Sequence, residues 1–138
     1  MQLTQQRLDE IFAAHQSGNF ELLLKLSKQF QQDFPTNLLG YKAEGVALLS
    51  LGKISEALKV MKQAVKIDPY DDEAISNLGQ TLLQNGKIDE AINEFENAKA
   101  INPCSAVIFG NLANAYFINH QQQQAEQLIS KAYIFCKV

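Results

Sequence analysis

Between Leu38 and Asp71 the apolar residues fall at helical spacing. Tyr41, Val46, Leu48, Leu49 and Leu51 crowd the first half of the stretch. Ile54, Leu58, Met61 and Val65 mark the second at three- and four-residue steps, which put them on one buried stripe. Gly52 stands between the halves, and glycine ends a helix cheaply because it accepts the left-handed conformation. Pro69 closes the second half, since proline lacks the amide that a helix interior needs.

The arrangement recurs along the chain. Pro35, Pro69 and Pro103 are 34 residues apart, as are Gly18, Gly52 and Gly86, and Gly45 and Gly79. Ala57, Ala91 and Ala125, and Ala64, Ala98 and Ala132, keep the same interval. So many coincidences at one period denote an internal repeat of helix pairs. Two residues past each proline stands a capping type, Asn37, Asp71 or Ser105, able to accept from the free amides of the next first turn. There is no sustained alternation and no hairpin dipeptide, so no strand is expected. The pattern predicts helices at about 4–17, 20–34, 38–51, 54–67, 72–85, 88–101, 106–119 and 122–136.

Composition narrows the function without naming it. The chain has 138 residues, of which 46% are hydrophobic, enough for a real core in one domain. A net charge of −3 argues against nucleic acid, which calls for a basic face. The polar start MQLTQQRLDE does not resemble a signal peptide, and no apolar run approaches a membrane span, so a cytoplasmic location is the simplest expectation. Cys104 and Cys136, 32 residues apart, match neither a redox motif nor a zinc knuckle and are read as reduced thiols of no special role. His15 and His120 have no ligand-spaced neighbours and are read as incidental, so no metal or cofactor is expected.

These residues resemble the tetratricopeptide repeat. That family's pattern has an aromatic and a Leu-Gly pair on the first helix, glycine at the turn, and alanine, aromatic, alanine and proline along the second. The stretch 72–105 supplies Ile75, Leu78, Gly79, Leu82, Gly86, Ala91, Phe95, Ala98 and Pro103. The stretch 38–71 supplies Tyr41, Gly45, Leu48, Gly52, Ala57, Met61, Ala64 and Pro69. The stretch from 106 keeps Phe109, Leu112, Ala113, Tyr116, Ala125, Ile129 and Ala132, with His120 at the glycine position and Lys137 where a proline would close it. The stretch 4–37 is degenerate, with Glu10, Ile11 and Leu23 at the Leu, Gly and Ala positions. The resemblance implies an all-α superhelix, a solenoid of about four repeats forming a single domain over 1–138. It also implies that Gly45 and Gly79 face Ala57 and Ala91 where the helices of a pair cross.

In the family the first helices line a concave groove. Carried over residue by residue, that groove would hold Leu39, Lys42, Ala43, Val46, Leu49 and Ser50, then Glu73, Ser76, Asn77, Gln80, Leu83 and Gln84. From the last repeat come Val107, Gly110, Asn111, Asn114, Phe117 and Ile118. Asn77, Asn111 and Asn114 resemble the asparagine ladder of O-GlcNAc transferases, and an amide can both donate to and accept from a peptide backbone. The carboxylate clamp of chaperone-binding members is missing: Lys42 and Asn77 fit it, but Val46, Val107 and Asn111 do not. The implied function is a protein-interaction scaffold that holds a peptide through Lys42, Asn77, Gln80, Asn111 and Asn114, with Leu49, Leu83 and Phe117 as an apolar edge.

The alternative is a substrate-presenting region of a larger protein, since the opening repeats resemble the leaders of bacterial glycosyltransferase or sulfotransferase domains. The acids Asp89, Glu90, Glu94 and Glu96 read as a solvated face, and no catalytic residue is expected. Leu128, Ile129, Tyr133, Ile134 and Phe135 form an apolar stripe on the last helix with no further helix to cover it. Such a stripe implies a continuation, a bound partner or a homodimer contact.

Overall fold

The computed structural model describes residues 2–136 and contains, within them, eight helices and no strand. They are α1 (Gln5–Gln16), α2 (Phe20–Asp33), α3 (Leu38–Ser50), α4 (Ile54–Ile67), α5 (Asp72–Gln84), α6 (Ile88–Ile101), α7 (Ala106–Ile118) and α8 (Gln122–Cys136). Every boundary lies within one residue of the expectation from the sequence. Lys137, expected to mark the missing final proline, lies outside the described residues. Asn37, Asp71 and Ser105 cap α3, α5 and α7, accepting from Leu39, Ala74 and Ile108 amides at 3.0, 2.8 and 3.3 Å. Among the described residues no helix is long and apolar enough to cross a membrane.

Within each pair the same two main-chain bonds close the turn. The Gly52 amide donates to the Leu49 carbonyl at 3.1 Å and the Lys53 amide to the Leu48 carbonyl at 2.8 Å. The same two bonds recur from Gly18 and Asn19, from Gly86 and Lys87, and from His120 and Gln121. This Schellman closure requires one residue at positive φ. Gly52 and Gly86 both sit at +78°, but His120 holds the position at +59°. His120 is therefore not incidental: it is the turn residue of the last pair, in a conformation that costs a residue with a Cβ ~1–2 kcal/mol.

The chain divides into two compact units, one ending at Asp68 and one opening at Pro69. The first unit, α1–α4, is built on Ile11, Ala14, Leu23, Phe30 and Ala47. Ile11 and Leu23, the large residues of the degenerate repeat, thus fill the core. Arg7 spans the ends of α1 and α2, pairing with Asp33 at 2.7 Å and lying 5.3 Å from the Phe34 ring. Between α2 and α3, Gln31 donates to the Gly40 carbonyl at 3.2 Å and to the buried Glu44 carboxylate.

The second unit, α5–α8, buries Ile75, Leu78, Leu82, Ala91, Phe95, Ala98, Ile108, Leu112, Ala125, Leu128 and Ala132. The nearest atoms across from Gly79 belong to the Phe95 ring, as those across from Gly45 belong to Met61. Each glycine thus makes room for a large buried side chain of the second helix, on which Ala57 and Ala91 are also fully buried. In the last pair α8 buries Leu128 and leaves Ile129 57% exposed. Ala113 stands where α5 has Gly79 and is itself buried.

Cys104 and Cys136 are joined by a disulfide, with Cα atoms 5.3 Å apart. The expectation of two free thiols is overturned. The period explains the meeting, because residues that open and close one helix pair come together at its foot, as Asn102 donating to Asp72 at 3.2 Å does one pair earlier.

Candidate interaction surface

The residues expected to touch a peptide are distributed over both units. Lys42 and Leu49 lie on α3 in the first, and both are half-buried. The other six lie on α5 and α7, which pack together in the second unit. Asn77 and Asn111 occupy equivalent turns of these two helices and are half-buried, as is Leu83, while Gln80 and Asn114 are exposed. Phe117 is 63% exposed and Val107 69%, with Ile118 also open. Exposed aromatic and aliphatic side chains beside amides give a surface that can exclude water and still pair with a main chain. Ser76, expected on this open face, is buried instead, and its hydroxyl has no hydrogen-bond partner.

On the second helices the acids behave differently from the expected solvated face. Tyr116 of α7 donates to Glu96 of α6 at 2.5 Å, and Lys99 pairs with the same carboxylate at 2.9 Å. Burial alone would raise the Glu96 carboxyl. Hydrogen bonds from Tyr116 and Lys99, with the charges of Lys99 and Lys131, outweigh it and hold the group below its ordinary value. Burial, with the hydrogen bond and charge of Glu96, pushes the Tyr116 phenol up to about 12. Burial also raises Glu94, opposed by a hydrogen bond from Asn97 and reinforced by the charge of Glu90. The Tyr116–Glu96 bond ties two repeats together. The sequence held its two residues 20 apart, with no signal in either that they meet.

The last helix presents Ile129, Tyr133, Ile134 and Phe135, the last three 72%, 66% and 77% exposed. Leu128, expected in the same stripe, is buried against the core instead. Among the described residues no three His, Cys, Asp or Glu side chains are grouped so as to hold a metal.

Residues 48–103 match the tetratricopeptide-repeat family model. No curated protein sequence matches the chain. Among solved structures, a thermophilic TPR protein of Thermus thermophilus is similar at 22% identity and a TM-score of 0.83, covering 89% of this chain and 69% of that one. MamA is similar at 20% identity and 0.81, over 91% of this chain and 74% of its own. YrrB, described as a TPR protein with an unusual peptide-binding site, is similar at 20% identity and 0.77, over 92% and 66%.

Proposed function

We propose that this chain, whose residues 48–103 match the tetratricopeptide-repeat model and whose helix pairs have that solenoid fold, is a non-catalytic interaction scaffold whose α5–α7 face holds an extended peptide of a partner protein. The observation that carries the reading is the pairing of amides and apolar side chains on that face. Asn77 and Asn111 stand at equivalent turns of packed helices, beside Leu83 and the exposed Phe117. Amides can read a peptide's main chain whatever its sequence, and Phe117 offers an anchor for one apolar side chain. A similar fold carries a peptide-binding site in YrrB, which supports the same use here.

The test begins with peptides selected from a random display library on the immobilised chain. Replacing both Asn77 and Asn111 by Ala should weaken a selected peptide roughly tenfold or more, as two side-chain hydrogen bonds are worth ~1–3 kcal/mol together. Phe117→Ala should weaken it further. Unchanged affinity in both variants refutes the site. A second contact is supported by the exposed Ile129, Tyr133, Ile134 and Phe135, which offer a homodimer surface. Light scattering decides that one, since a monomer at high concentration rules it out.

A further inference from the structure

The disulfide stands where it controls the end of the last helix. After Ala132, which is buried, Tyr133, Ile134 and Phe135 of α8 are all largely exposed. Packing therefore holds the final turn weakly, and a segment with few buried contacts opens at low free energy. What ties it down is Cys136, bonded to Cys104 in the turn between α6 and α7 and lying 3.5 Å from the Pro103 carbonyl oxygen. Beside the bond runs a shallow groove of about 380 Å³ walled by Pro103, Phe109, Leu128 and Phe135, with Lys99 and Lys131 on its edge. Cys104 is exposed and Cys136 half-buried, so a reductant meets Cys104 first.

We propose that Cys104–Cys136 is a thiol-exchange site, a latch that a dithiol reductant opens to release the last turn of α8. A reductant thiolate attacks Cys104 Sγ, forming a mixed disulfide and expelling Cys136 as a thiolate, which takes up a proton. The second reductant thiol then attacks the mixed disulfide, freeing Cys104 as a thiol and leaving the reductant oxidised. Two electrons pass from the dithiol to the protein in all. Only the terminal turn depends on the bond, because Ala125, Leu128 and Ala132 hold the rest of α8 in the core.

The full chain, purified in air, is alkylated with and without prior dithiothreitol, and amide exchange is followed in both states. Without reductant neither cysteine should be modified; with it both should be. Reduction should speed exchange in the last turn of α8 about tenfold or more, leave α5–α7 unchanged, and be reversed by oxidised dithiothreitol. The double variant Cys104→Ser/Cys136→Ser should match the reduced parent. Alkylation of both cysteines without reductant overturns the proposal. So does a last turn equally protected in both states. Loss of protection throughout α5–α7 overturns it too, because the bond would then be a staple of the whole unit.

Discussion

The glycine that lets α5 and α6 approach offers the sharpest test of the packing. A methyl added at Gly79 would lie 2.7, 2.9 and 3.0 Å from Cε1, Cδ1 and Cζ of Phe95, whose ring is fully buried. Carbon atoms in good contact stay ~3.5–4.0 Å apart, so three ring atoms are each about half an ångström or more too close. Overpacking of this kind costs ~1–3 kcal/mol, while alanine in a helix interior returns ~1 kcal/mol over glycine. Gly79→Ala should therefore lose roughly 0–2 kcal/mol net. Gly110 is the matched control. It lies in α7 with nothing within 4 Å of a Cβ, so Gly110→Ala should gain ~1 kcal/mol. Urea unfolding followed by far-UV circular dichroism reads both, and with a slope of ~1–3 kcal/mol per molar the midpoints should move apart by about 1 M. Phe95→Leu added to Gly79→Ala should recover part of the loss. A Gly79→Ala chain stabilised as much as the Gly110→Ala control would refute the close crossing.

Other perturbations follow from single contacts. His120→Gly should raise the urea midpoint by ~1 kcal/mol equivalent, since glycine takes φ of +59° without strain. Ser76→Ala removes a buried hydroxyl that has no partner and should leave stability unchanged or raise it by up to ~1 kcal/mol. Tyr116→Phe should destabilise at neutral pH by breaking the bond to Glu96. Because the folded phenol titrates at about 12 instead of 10.0, its contribution is complete below pH 10 and fades as pH rises through about 12. The gap between parent and variant should close over that window in urea midpoints taken at stepped pH. The depressed Glu96 carboxyl has the opposite sign: its contribution is present above 4.5 and is lost as pH falls below that value.

The helix ends were legible because each is fixed locally, by a glycine, a proline or a capping oxygen within a few residues. Contacts across the period were harder to see. Cys104 and Cys136 are 32 apart, which matches no short motif, yet in an array of period 34 it is a contact spacing, as Asn102 with Asp72 also shows. The sequence displays small residues on both helices, and only the packed side chains reveal that Gly79 accommodates the Phe95 ring. Leu128 and Ile129 are adjacent and both apolar, so periodicity alone could not decide that Leu128 is the one that faces inward. On the candidate surface, the exposure of Phe117 and Asn114 followed from their register, but the burial of Ser76 did not.

The turn inside every pair is sealed by main-chain donors and acceptors, and of side chains it asks only ease with a positive φ at one residue. Heredity can therefore rewrite the flanking helices without renegotiating the hinge. Asn19, Lys53, Lys87 and Gln121 share one structural office although their side chains differ in charge and length. That separation of joint from surface allows a partner-reading face to diverge while the joints hold, and it marks the first helices as the place to graft a new specificity.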